Sequence, residues 1–108
     1  MLKWLKKKAG ETSLFNVKVN TKTLISVSNR AHENIQATGR DDEALTKEVV
    51  SAQVSVLEDM HLAISNGMSI QQIEAAVEQA KSQYTVSNGA EMAIQHVLKT
   101  LEQNLNTP

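Results

Sequence analysis

The stretch LFNVKVNTKTLISVSNRAHENI, residues 14–35, can be read as two different structures, and the class of the whole chain turns on which it adopts. As a strand, Phe15, Val17, Val19, Thr21, Thr23, Ile25 and Val27 fall at every second position, the period of a half-buried sheet. As a helix, Leu14, Val17, Thr21, Leu24, Ser28, Ala31 and Ile35 recur at three- and four-residue steps along one face. Composition divides the stretch. Asn16 to Thr23 is rich in Asn, Val and Thr, weak helix formers, whereas Ser28 to Thr38 suits a helix better and runs up to Gly39. The expectation is an extended first part, near residues 14–20, followed by a helix over about 23–38. Tyr84, Thr85 and Val86 are the other short β candidate, and a pairing of 84–86 with 14–20 would join the two.

The remainder of the chain reads as helix. Asp41, Asp42 and Glu43 suit a helix start, where carboxylates meet unpaired amides and the positive end of the helix dipole, and Asn66-Gly67 suits its end. Within this helix, over about 42–66, Leu45, Val49, Ala52, Val56, Met60 and Ala63 make one apolar stripe. Val50, Val54, Leu57, His61 and Ile64 make a second beside it, so the apolar surface covers about half the circumference, wider than an ordinary surface helix requires. Ser69 and Gln72 have the spacing of a capping box, followed by Ile70, Ile73, Val77, Ala80 and Tyr84 at helical steps, which predicts a helix over 70–83. A last helix over 89–105, capped by Ser87 or Asn88, places Ala90, Ile94, Val97, Leu98, Leu101 and Leu105 on one face and should pack antiparallel to a neighbour. Gly10, Gly39, Gly67 and Gly89 read as punctuation between the pieces. The expected fold is mainly α, a small bundle of about four helices with a short basic helix ahead of it. In domain terms this gives a basic amphipathic segment over 1–10, one helical domain over 11–105 and a frayed tail over 106–108.

Composition agrees with an α core. Leu, Ile, Val and Phe supply 27 of 108 residues, enough for a folded chain. Trp4, Phe15 and Tyr84 are the only aromatics, so the interior must be built from aliphatic and small side chains. No cysteine is present, which excludes disulfides and thiolate metal sites. The opening Met-Leu-Lys-Trp-Leu-Lys-Lys-Lys carries charge like the front of a signal peptide, yet Ala9, Gly10 and Glu11 follow where an apolar run would be needed. No window approaches 18 consecutive apolar residues. A cytoplasmic location is the expectation.

The nearly neutral total hides a dipole. Lys3, Lys6, Lys7, Lys8, Lys18 and Lys22 face Glu11 alone within the first 22 residues, while the other 86 residues hold five basic and eleven acidic side chains. The front therefore carries about +5 and the remainder about −6, an asymmetry that points to an electrostatic contact. On a helical wheel Met1, Leu2, Trp4, Leu5 and Ala9 share one arc, and Lys3, Lys6 and Lys7 lie opposite with Lys8 intruding. Lys3, Trp4, Leu5, Lys6, Lys7 and Lys8 are accordingly the candidate partner-binding residues. The plainer alternative has Trp4 and Leu5 docked on the acidic helical body, with the lysines as its solubilising face. A further alternative is a peripheral membrane protein anchored by residues 1–8, although an anionic membrane would be held only weakly by so few groups.

Catalysis has no visible anchor. His32, His61 and His96 fall in three different helices without a serine or carboxylate at a recognisable catalytic spacing. Glu58 and His61 form the Glu-x-x-His of carboxylate metal bundles, but such a site needs a second pair and two more glutamates, and Glu91 and His96 are five apart. Gly67-Met68-Ser69 with Ile73 and Val77 has the look of the turn in a helix-turn-helix unit. The helices that follow are too poor in Lys and Arg to neutralise phosphates, which disfavours nucleic acid. The reading favoured is a non-enzymatic protein-interaction module or regulatory adaptor without cofactor or metal. It is expected to act as a homodimer through the broad apolar face of the second stripe, with another protein as its main partner.

Overall fold

The computed structural model describes residues 3–107, so the parts assigned above to Met1 and Leu2 in the amphipathic arc and to Pro108 in the tail lie outside the described residues. Four helices make up the fold: α1 (Lys3–Thr38), α2 (Glu43–Ser65), α3 (Ile70–Lys81) and α4 (Asn88–Asn106). Among the described residues there is no strand. The short β segment read near 14–20, and its pairing with 84–86, are corrected accordingly. So is the separate basic helix: it forms the first turns of a 36-residue α1 that runs unbroken through residues 14–35.

Packing settled the ambiguous stretch. Val17, Thr21, Leu24 and Ser28, four members of the helical face, are buried, and Ile25 joins them, whereas Phe15, Val19 and Thr23 of the alternating set are exposed. The alternating set is split by the helix: Val17, Thr21 and Ile25 face the core while Phe15, Val19 and Thr23 face outward, so the period of two marks no single face. Weak propensity is overridden when one face of a helix is buried by tertiary contacts. The other β candidate is held differently as well. Asn29 of α1 donates from Nδ2 to the Thr85 carbonyl at 2.7 Å and accepts from the Ser87 amide at 3.0 Å, so one side chain satisfies the connection where strand pairing was expected.

At 1.5 Å per residue α1 is about 54 Å long. That equals the longest dimension of a flat molecule of 54 × 32 × 20 Å. The other three helices pack against this spine. α2 returns antiparallel to it, as shown by Asn20 bonded to Asp59 and Arg30 paired with Glu48. α3 runs back alongside α1, with Gln72, Ala76 and Gln79 near Leu14 and Lys18. α4 is antiparallel to α1 and α3: Gly89 meets His32, and Lys81 near the end of α3 meets Glu91 near the start of α4.

The helix ends follow local rules. Gly39 and Gly67 end α1 and α2 at φ of 72° and 87°, a region closed to most side chains. At Gly67 the amides of Gly67 and Met68 donate to the carbonyls of Ile64 and Ala63, which is a Schellman closure. Asp42 caps α2, Ser69 and Gln72 form a complete capping box on α3, and Ser87 caps α4. Gly10 is no punctuation. It lies buried within α1, where a Cβ would fall 2.9 Å from Met68 Cγ and 3.2 Å from the Asn66 carbonyl oxygen, so its missing side chain lets the α2–α3 turn sit on α1. The core is aliphatic and small: six buried alanines (Ala52, Ala63, Ala76, Ala80, Ala90 and Ala93) accompany Leu24, Ile25, Met60, Ile73, Ile94 and Leu101.

Candidate interaction surfaces

Gly10 is where α1 meets the α2–α3 turn, and Lys3 to Ala9 continue past that contact for about 10 Å. Every residue of this projection is exposed, Trp4 by 61% and Leu5 by 39%. Docking of Trp4 and Leu5 on the chain's own acidic body, the plainer alternative, is therefore not the arrangement found. The structure brings Lys3, Trp4, Leu5, Lys6, Lys7 and Lys8 together as one projecting end, with Glu11 the nearest acid along α1. Among the described residues, Lys3, Lys6, Lys7, Lys8, Lys18 and Lys22 make no ion pair, in contrast to Arg30, Lys47 and Lys81.

Cations in the opening turns of a helix oppose its dipole, and the first turn of α1 holds no acid to offset them. The projection is thus electrostatically unfavourable for the helix that carries it. Phe15, also 61% exposed, and Val19 continue the exposed apolar surface further along α1. These two were missed as interaction residues because the strand reading of 14–20 removed the helical register that relates them to Trp4.

The second apolar stripe of α2 divides along its length. Val50 and Val54 are 53% and 49% exposed, while Leu57, His61 and Ile64 are half-buried. His61 Nε2 lies 3.1 Å from Asn104 Nδ2 of α4, so the imidazole ties α2 to α4. Between Val50, Val54 and Leu57 of α2 and His96, Val97 and Thr100 of α4 lies a shallow groove of about 170 Å³, with no α1 residue in its lining. Gln53 ties its floor by donating to the Ala93 carbonyl at 3.1 Å. Met92, four residues before His96 and therefore on the same side of α4, is 73% exposed.

A hollow of about 410 Å³ is an open trough between α1 and α2 whose lining includes Asn20, Thr23, Lys47, Ser51 and Ser55. Lys47 faces Glu43 at 3.4 Å, and the Ser55 hydroxyl donates to the Ser51 carbonyl one turn back. Among the described residues no three His, Cys, Asp or Glu side chains gather as a metal site would need. The surface of α3 is likewise plain. Its exposed positions are Gln71, Gln72, Glu74, Ala75, Glu78 and Gln79 besides Ile70, and its single basic residue, Lys81, contacts Glu91 at 2.8 Å and Glu78 at 3.6 Å. The hydrogen bond and charge of Glu91 raise the Lys81 pKa above the ordinary lysine value, despite opposing desolvation. The hydrogen bond from Lys81 lowers Glu91 below the ordinary carboxylate value.

Taken together, the elements define a small four-helix bundle with two unpartnered surfaces. No described helix is long and apolar enough to cross a membrane. Comparison with known protein families, with characterised proteins and with solved structures finds no match.

Proposed function

We propose that this chain is a non-enzymatic interaction protein that works as a homodimer, its copies meeting across the α2–α4 groove and the basic end of α1 turned to another macromolecule. A regulatory adaptor in the cytoplasm is the role this describes. The exposure of Val50 and Val54, two β-branched apolar residues one turn apart beside the groove, carries the reading. Water excluded from that face, together with Met92, favours association of two such patches related by a twofold axis. The groove and the α1 projection share no residue, so a dimer leaves the basic end free.

Sedimentation velocity at tens of micromolar tests it. A dimer is expected for the wild type and a monomer for Val50→Asp/Val54→Asp, while a wild-type protein that stays monomeric contradicts the dimer.

A second reading, DNA binding through the basic arm together with α3, draws on the tight Gly67 turn and the Ser69 capping box, which resemble a helix-turn-helix entry. Lys81, paired with acids, leaves α3 without a free cation for phosphate. An electrophoretic shift at low salt would favour it over the first reading, and no shift removes it.

A further inference from the structure

The structure assigns the outward side of α1, from Lys3 to Lys22, as a surface that lies on an anionic lipid bilayer. This deepens one part of the function proposed above, that the basic end of α1 is a binding surface, and is independent of the dimer. At 100° per residue Trp4, Lys8, Glu11, Phe15, Val19 and Lys22 fall within an arc of about 80°, on the side turned away from Val17, Leu24 and Ser28. Lys18 flanks this arc, and Lys3, Lys6 and Lys7 surround its free end. Glu11 is the one acid on it.

Charge complementarity names the occupant. Six lysines without an ion pair among the described residues line half the length of α1, and their flexible stems allow ammonium groups to reach a plane of headgroups beside a partly inserted apolar ridge. Trp4 suits the boundary between headgroup and acyl chain. Shape separates this occupant from a protein groove. A helix recognised in a groove presents anchors at i, i+3 or i+4, and i+7, but here Lys8, Glu11 and Thr12 interrupt the apolar set between Leu5 and Phe15. A fluid bilayer needs no such register. It responds to total apolar area and charge, and it meets a convex ridge without a matching cavity. Lysines in the opening turns also oppose the dipole of α1, a local cost that a negatively charged surface relieves.

Trp4 is the only tryptophan, so its emission reports insertion without a label. The full chain would be mixed with phosphatidylcholine vesicles, with vesicles also containing phosphatidylserine, with poly-glutamate and with single-stranded DNA. The expected result is co-flotation and a blue shift of Trp4 emission with the anionic vesicles alone. Binding should weaken by about tenfold or more in Lys18→Glu/Lys22→Glu and on raising the salt. Lys99→Glu, on α4, should bind as wild type, and far-UV circular dichroism should show all variants equally helical. Anionic vesicle binding that survives Lys18→Glu/Lys22→Glu overturns the extended face. Binding to poly-glutamate or DNA without vesicle binding overturns the lipid assignment while leaving a macromolecule-binding end, and binding to none of the four removes both.

Discussion

Between Val17 and Ser28, α1 is held by its neighbours; between Lys3 and Ala9, it is held only by being the same helix. Val17, Leu24 and Ile25 have no exposed surface, whereas all seven residues of the projection are open to solvent. The first segment is helical because burial of one face outweighs a run of poor helix formers. The second is helical because adding a residue to an existing helix is cheap once nucleation has been met elsewhere. Side-chain identity in the core segment is therefore constrained by packing. In the projection it is free for contact, and Lys3, Lys6, Lys7 and Lys8 with Trp4 and Leu5 occupy the part of the helix where packing asks least of them.

The sharpest way to break this contrast is to truncate one side chain in each segment. Leu24→Ala should cost about 2–5 kcal/mol, as a fully buried leucine does, while Trp4→Ala should change stability by no more than about 0.5 kcal/mol. Urea unfolding measures both, and a Trp4→Ala loss comparable to that of Leu24→Ala would mean the projection is packed. Next in size is Asn29→Ala, which leaves the Thr85 carbonyl and the Ser87 amide without their partner and should cost about 1–2 kcal/mol in the same assay.

A change of opposite sign is expected within the buried face. Thr21 and Ser28 are buried with hydroxyls that find no partner, unlike Ser13, which donates to the Ala9 carbonyl at 3.0 Å. Thr21→Val keeps the shape and removes the unpaired group, so thermal unfolding should show a gain of about 1 kcal/mol.

Smaller still is the Lys81–Glu91 pair that links α3 to α4. Glu91 has a lowered folded pKa, so its contribution is present above the unfolded carboxylate value and is lost as pH falls through the folded one. Lys81 has a raised folded pKa, so its contribution is present below the unfolded lysine value of 10.5 and is lost as pH rises through the folded one. Lys81→Met should therefore cost no more than about 1 kcal/mol at neutral pH and flatten the pH dependence of stability at both extremes. The smallest effect belongs to the projection. Lys6→Glu/Lys7→Glu should raise stability by a few tenths of a kcal/mol, because acids suit a helix start, while weakening anionic binding.

Local chemistry made α2, α3 and α4 legible from sequence. Asp42, Ser69 with Gln72, Ser87 and Gly67 sit where caps and closures need them, and Ala52, Val56, Met60 and Ala63 are buried as one stripe. What escaped reading depended on contacts between distant residues. Gly10 looked like a boundary, yet its role comes from Met68 and Asn66 across the bundle. Inner and outer Val and Thr side chains of α1 together imitated a strand, and the joint burial of Val17, Thr21, Leu24 and Ser28, two of them polar, fixes the register. The lysines of the first turns were evident, but their continuation to Phe15, Val19 and Lys22 required that register first. On α2 the second stripe was recognised as apolar, while its division into a covered half at Leu57, His61 and Ile64 and an open half at Val50 and Val54 depends on where α4 lies.

Hydrogen–deuterium exchange resolved along α1, with the protein free and on phosphatidylserine-containing vesicles, tests the contrast most directly. In the free protein the amides of residues 17–28 should exchange only by global unfolding and those before Gly10 quickly, and vesicles should slow the second group while leaving the first unchanged. Equal protection of both segments in the free protein, or no slowing before Gly10 on the vesicles, would contradict the account.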